Sequence, residues 1–410
     1  MTPATMRWLD RRVGALLCRG LARLRRALPI APRPAAHGRA VLCIGLAEMG
    51  SIVLAAPAIR RLDNAGAETY FLTFARHRDV PPLAGAVGAD RVRVLRTESF
   101  LCLLLDVGRF VLWARRLQLS AVVDLEPCMF FSTLLAVASS AREQVGFAHD
   151  GRQWRARNAL YTRPLAYVPQ RHMAENFAAL IALAGGCAGA GARRSPGAPI
   201  PPLPTARHAA ADIGRRIAGA FPGSAPEGPL IFLNPNAGDA IPQRRWDAAR
   251  FAELGTRLLQ RRPDVRIALI GSTADRPACA EIATRLPAGR CANLAGEFGI
   301  DELPALFAHG HLLVSNDSGP AHLASLTTLP TIVLFGPETP ALYRPLGNAV
   351  ALYAGLPCSP CITPQTHRAS VCTDNRCMQA ISVDRVHAVA EDLLSAPRAH
   401  RPIAEPEMAA

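Results

Sequence analysis

Hydrophobic and polar positions fall into two series of short apolar runs alternating with amphipathic segments. In the first, residues 40–44, 69–74, 91–95, 121–125 and 143–147 are apolar or β-branched runs bounded by turn residues, the pattern of buried strands. Between and after them, 51–62, 99–119, 130–139 and 175–184 carry helical spacing. In the second, strands are predicted at 230–233, 265–270, 291–294, 311–315 and 331–335. Helices are predicted there at 205–220, 246–260, 276–285, 301–308 and 382–394. Such alternation predicts an α/β fold, two parallel sheets with helices on both faces. A chain of 410 residues exceeds one ordinary core, and the Gly-, Ala- and Pro-rich stretch 185–204 reads as the link between domains 38–184 and 205–396. Residues 397–410 read as a loose tail, and no repeat at a solenoid period is visible.

In 51–62, Ser51 is placed to cap the N-terminus and Pro57 to kink or shorten the helix. Segment 99–119 is apolar but broken by Asp106, Arg109, Arg115 and Arg116, so it reads as a helix and not a membrane span. Ahead of the first strand, residues 6–28 set Val13, Leu17, Leu21, Leu24 and Leu28 at helical spacing and fill the other face with arginine. Such a helix suits an anionic membrane surface, or is a solvated helix packed on its own protein. Residues 29–37 read as a Pro/Ala linker, so 1–37 form one N-terminal element.

The formal charge is +14, and every one of the 46 basic residues is arginine. The excess suits acidic substrates or an anionic membrane. No nucleic-acid partner is expected, because no zinc-finger spacing and no aromatic-rich RNA-binding pattern is present. The 11 cysteines are mostly scattered in apolar runs, as expected of small buried residues in a reducing compartment. No uninterrupted apolar core or cleavage site follows the basic start. The expected location is the cytoplasm, with peripheral contact at the inner face of the plasma membrane if the basic helix binds lipid.

The densest chemistry lies at 311–337. There Val314-Ser-Asn-Asp-Ser-Gly-Pro-Ala-His-Leu-Ala324 leads from a strand through a polar turn into a helix, and Thr331-Ile-Val-Leu-Phe-Gly-Pro337 forms the next strand and its exit. Backbone N–H groups at such a helix start suit phosphate. Gly319 lets the backbone approach a ligand. Asp317 can cap the helix or accept from a ribose hydroxyl, Ser318 lies in the same turn, and His322 can point back at the same anion. Ligands of doubly wound sheets bind beyond the carboxyl ends of the strands, which brings in loops 45–51, 234–245 and 271–276. Ser272 and Thr273 are placed to meet a nucleotide, and Asp275 to cap the next helix.

The string Asn316-Asp-Ser-Gly-Pro-Ala-His-Leu-Ala324, with Pro330 and Leu334-Phe-Gly-Pro337, resembles the C-terminal signature of glycosyltransferase family 9, the lipopolysaccharide heptosyltransferases. The resemblance implies a GT-B architecture, two Rossmann-like domains facing across a cleft. It implies an inverting, metal-independent transfer of a heptose or related sugar from an ADP-heptose-like nucleotide diphosphate, with no further cofactor. The implied acceptor is a lipopolysaccharide or another lipid-linked or cell-envelope glycan. In Asn234-Pro-Asn-Ala-Gly-Asp-Ala-Ile-Pro-Gln-Arg-Arg-Trp246, Arg244 stands where the family has a phosphate-binding lysine. Arg245 is its neighbour, and Asn236 lies in the small-residue turn.

Leu46-Ala-Glu-Met-Gly-Ser-Ile-Val-Leu-Ala-Ala-Pro57 resembles the family's N-terminal motif, in which a glycine precedes the aspartate proposed as base. Here that position is Ser51, which cannot serve as a base at neutral pH without an activator. Glu48, on the same loop, is the expected base, with Ser51 capping the helix or touching the acceptor. The departure leaves two other readings open: a non-catalytic nucleotide-sugar-binding homologue, or a sugar-nucleotide epimerase on the same fold. Cys358, Cys361, Cys372 and Cys377 form one cluster whose first pair has metal-ligand spacing. Disulfides or free thiols fit it at least as well, and no metal is expected.

Overall fold

The computed structural model describes residues 3–27, 39–184, 207–222, 228–238, 241–363, 366 and 370–396. The expected linkers at 29–37 and 185–204 and the tail 397–410 lie outside the described residues. The chain divides into two compact units, Met1–Arg194 and Ser195–Ala410.

The first unit runs α1 (Pro3–Leu9), α2 (Ala15–Ala27), β1 (Ala40–Ile44), α3 (Met49–Asn64), β2 (Glu68–Phe74), α4 (Val80–Leu83), β3 (Val92–Leu95) and α5 (Phe100–Leu117). It continues with β4 (Ala121–Asp124), α6 (Phe130–Ala138), β5 (Glu143–Ala148), α7 (Arg155–Asn158), β6 (Arg163–Ala166) and α8 (Met173–Ala184). Its six parallel strands lie in the order β3-β2-β1-β4-β5-β6. Val41 pairs with Thr69 on one side and Ala121 on the other. All five β1 residues are buried, as both faces of a parallel sheet require. Crossovers between parallel strands are right-handed. Helix α3 therefore lies on one face of the sheet with α8, which it packs against. Helices α5 and α6, which step the opposite way along the sheet, cover the other face.

Helices α1 and α2 extend that second layer. A π-helical turn, Asp10–Gly14, joins them, and α2 packs on α6 and α7. The buried side of α2 is small: Ala15, Cys18 and Ala22 sit in a cluster with Phe130, Trp154 and Leu160. A Cβ on Gly14 would come 2.9 Å from the Phe130 Cβ, so close approach selects small residues here. The expected apolar stripe thus divides: Val13 is 44%, Leu17 54% and Leu24 54% exposed, Leu21 packs on the cluster, and Leu28 lies outside the described residues. Asp10 explains the docking. Its carboxylate accepts the backbone N–H of Phe131 at 2.7 Å and of Phe130 at 3.2 Å, which caps α6 from another helix. Burial nonetheless pushes the Asp10 carboxyl up to about 6.

The second unit runs α9 (Arg207–Gly219), β7 (Leu230–Asn234), α10 (Ala248–Arg261), β8 (Arg266–Leu269), α11 (Arg276–Ala283), β9 (Cys291–Asn293) and α12 (Leu303–Ala308). Then come β10 (Leu312–Asn316), α13 (Gly319–Ala324), β11 (Thr331–Phe335), α14 (Pro340–Tyr343), β12 (Ala349–Tyr353), α15 (Arg376–Gln379) and α16 (Val383–Ser395). The strands are again all parallel, in the order β12-β11-β10-β7-β8-β9. Numbered from its own first strand, this is the order of the first unit. Each sheet therefore reverses direction once, between β1 and β4 and between β7 and β10, and that reversal is where doubly wound sheets bind ligands.

Helix starts depart from expectation. Ser51 is the third residue of α3 and does not cap it. Glu48 holds the N-cap position in extended conformation, with no side-chain cap bond. Helix α3 continues through Pro57. Ser318, not Asp317, holds the N-cap position of α13.

Candidate functional site

At the reversal of the second sheet, β7 and β10 end in polar side chains that bond to each other. The Asn234 amide donates to Ser315 Oγ and Ser318 Oγ, both at 2.9 Å, which fixes the turn into α13. The Asn316 side chain accepts the Trp246 N–H at 3.0 Å and donates to the Pro235 carbonyl at 2.8 Å. It thereby ties the 234–246 loop to the end of β10. Trp246 is itself anchored: its indole donates to the Ile381 carbonyl at 2.9 Å.

This framework holds Arg244 over two buried carboxylates. Its Nη2 donates to Glu338 Oε2 at 2.6 Å, and its Nε lies 3.5 Å from Asp317 Oδ2. Asp317 is 4% and Glu338 2% exposed. Asp317 is thus an ion-pair partner of Arg244 and not a helix cap. Glu338, three residues beyond β11, was not singled out by the sequence reading. One guanidinium beside two carboxylates gives a site that can hold a cationic group toward a phosphate and a carboxylate toward a sugar hydroxyl.

The other expected residues surround it unevenly. Gly319 opens α13, and His322 is buried within that six-residue helix. The Asn236 amide nitrogen donates to the Ile270 carbonyl at 3.2 Å, so its side chain shapes the loop. Ser272 and Asp275 bond to each other in a capping box, Ser272 Oγ donating to Asp275 Oδ2 at 2.6 Å. Asp275 consequently makes no side-chain cap bond to α11. Arg245 accepts at its backbone carbonyl from Asn375 at 3.1 Å. Cys358, Cys361, Cys372 and Cys377 are free thiols. Among the described residues no three metal-ligating side chains converge.

At the reversal of the first sheet, the loop after β1 is pinned from several sides. Gly45 N–H donates to the Leu72 carbonyl at 3.0 Å. His77 Nδ1 lies 3.2 Å from the Leu46 carbonyl, and burial pulls that imidazole down to about 4. Glu126, two residues beyond β4, supplies the main clamp. Its Oε1 accepts the N–H of Leu46 at 2.6 Å and of Ala47 at 2.8 Å. It is 8% exposed. Burial pushes its carboxyl up to about 7, against the pull of the two N–H donors, with the charges of Asp124 and Glu48 adding to the rise. Below it, Arg157 is fully buried and donates to the Glu126 and Phe147 carbonyls. Two acids, Glu48 on the loop and Glu126 beneath it, therefore sit at this strand end, and the sequence reading identified only the first.

The model of glycosyltransferase family 9 (heptosyltransferase) matches residues 115–371, which spans both units. Lipooligosaccharide heptosyltransferase 2 of Haemophilus influenzae is 34% identical over 129 residues, 31% of this chain and 36% of that protein. The Campylobacter jejuni protein of the same name is 30% identical over 171 residues, 40% of this chain and 51% of its own. The chain thus matches about a third to a half of the length of these relatives. Among solved structures, E. coli ADP-heptose lps heptosyltransferase II superposes with a TM-score of 0.64 at 20% identity, covering 86% of this chain and 98% of that one. E. coli heptosyltransferase WaaC with ADP gives 0.59 at 19%, covering 86% and 99%. These likenesses identify the two doubly wound sheets as the GT-B fold. The family match begins at residue 115, so the loop carrying Glu48 and Ser51 lies outside it. The chain belongs to glycosyltransferase family 9.

Proposed function

We propose that the protein is an inverting glycosyltransferase that moves a heptose or related sugar from an ADP-heptose-like donor to a lipopolysaccharide or other cell-envelope glycan, without a metal. The observation that carries this reading is the Arg244–Asp317–Glu338 cluster at the sheet reversal of the second unit, within the segment the family model matches. The nucleotide diphosphate lies on the 316–322 turn. Arg244 and Arg245 neutralise the phosphates, Ser318 and Gly319 offer polar and backbone contacts, Asp317 and His322 meet ribose or phosphate, and Asn236 and Ser272 border the nucleotide. In the first unit Glu48 takes the proton of the acceptor hydroxyl as that oxygen bonds to the anomeric carbon. The bond from that carbon to the diphosphate breaks, and the nucleotide leaves with the electron pair. Contact with an anionic membrane, where such acceptors reside, belongs to the same reading.

The serine at position 51 favours a second reading, a homologue that binds the nucleotide sugar without transferring it. Labelled ADP-heptose with and without a lipopolysaccharide-core acceptor separates them. Acceptor-dependent label transfer is expected. Donor binding with no transfer to any acceptor supports the second reading, and absence of donor binding overturns both.

A further inference from the structure

Ten of the eleven exposed large hydrophobic side chains among the described residues lie on just two stretches of the first unit. Trp8, Val13, Leu16, Leu17 and Leu24 are on or between α1 and α2. Phe100, Leu101, Leu104, Leu105 and Leu112 are on α5. The stretches are neighbours. Helices α5 and α6 share a face of the sheet, α2 packs on α6, and Met6 of α1 packs against the cluster containing Phe110 of α5.

The charge on this layer has one sign. Residues 3–27 hold seven arginines and one acid, and that acid, Asp10, is turned inward to cap α6. Arg7, Arg11, Arg12, Arg19 and Arg23 are exposed. On α5 the one acid, Asp106, is buried and held by Arg96 at 2.9 Å, while Arg109, Arg115 and Arg116 are exposed. Aliphatic and aromatic side chains interspersed with arginine, and no outward carboxylate on either stretch, complement a surface that is apolar inside and anionic at its rim.

We infer that the outer face of α1–α2 and α5 is the surface by which the protein docks on an anionic lipid bilayer. The apolar side chains enter the interface and the arginines meet lipid phosphates. This gives the membrane contact of the proposed function a location, and it rests on that contact and not on the transfer chemistry. Deleting α2 is the wrong test, because its other face covers Phe130, Trp154 and Leu160; outward substitutions leave that packing intact.

The test is co-sedimentation of the full chain with vesicles of phosphatidylcholine alone and with about one third phosphatidylglycerol, with ADP binding followed separately. The expected result is pelleting with anionic vesicles only, reversed by salt. Leu16→Asp with Leu17→Asp, and separately Leu101→Asp with Leu104→Asp, each lower the partition about tenfold or more, with ADP affinity and melting temperature unchanged. No pelleting of the wild type, equal pelleting with neutral vesicles, or unchanged pelleting of both variants overturns the inference. If the wild type stays in solution as a dimer that the same substitutions dissociate, the face belongs to a second copy and the inference fails. Loss of ADP binding by the wild type would count against the proposed function and leave the docking result standing.

Discussion

Replacing Glu126 by Gln removes a buried charge while keeping an oxygen to accept the Leu46 and Ala47 N–H groups. In the folded chain this carboxyl is raised from the ordinary 4.5 to about 7. Between those values the folded state binds the proton and the unfolded chain does not, so stability falls as pH rises through the window and is level above it. The difference is worth roughly 3 kcal/mol in all. Glu126→Gln lacks this contribution. Near pH 5, where the folded wild type already carries the neutral acid, the variant is expected to match it closely. Near pH 8 it is expected to exceed the wild type by up to roughly 3 kcal/mol, or roughly 2–4 °C per kcal/mol in melting temperature. Asp10 and His77 titrate in overlapping ranges, but they are common to both proteins and cancel in the comparison. Urea unfolding across pH 5 to 8, followed by tryptophan fluorescence, reads the effect, because three of the four tryptophans are in the first unit. Parallel profiles, differing by a constant, would refute the reasoning, since they would mean the carboxyl titrates alike folded and unfolded.

Arg244→Ala removes the guanidinium that sits against the buried Asp317 and Glu338 carboxylates, so a loss of roughly 3–5 kcal/mol of stability is expected. Arg244→Lys should keep the fold and weaken ADP binding by calorimetry, and unchanged affinity would move the phosphate contact elsewhere. Glu48→Gln is expected to leave donor affinity nearly intact and cut turnover by roughly 10²–10⁴, with Ser51→Asp tolerated and partly restoring it; turnover within a few-fold of wild type would remove Glu48 as base. Asp10→Ala should cost about 0.5–2 kcal/mol by uncapping α6, measured as a shift of the urea midpoint, and no shift would show the cap to be dispensable.

Much of this fold is legible in the sequence because its central strands are buried throughout and apolar up to the polar residues at their carboxyl ends. Thr331–Phe335 is predicted to the residue, and the other predicted strands match within one or two positions at each end. The missed strands, β6 and β12, lie at sheet edges. There Arg163 and Pro164 interrupt the first, and partial exposure of the second weakens the apolar signal. The N-terminal helix was visible but its inward face was not. Hydrophobic spacing selects the large side chains, whereas close packing selected Gly14, Ala15, Cys18 and Ala22. Glu126 and Glu338 escaped because the sheet topology, not the sequence spacing, brings them to their partners. Each follows a strand end by two or three residues, and that signal was available in the sequence.

The cap that Asp10 places on α6 spans 120 residues of chain. During synthesis at roughly 5–20 residues per second, α2 is complete on the order of ten seconds before its docking site exists. Closing so long a loop costs entropy that local contacts cannot offset beforehand. Throughout that interval the small face of α2 lacks the Phe130, Trp154 and Leu160 side chains it packs on in the folded unit. The docking of α1 and α2 is therefore a late event in the folding of the first unit, although they precede every strand in the chain.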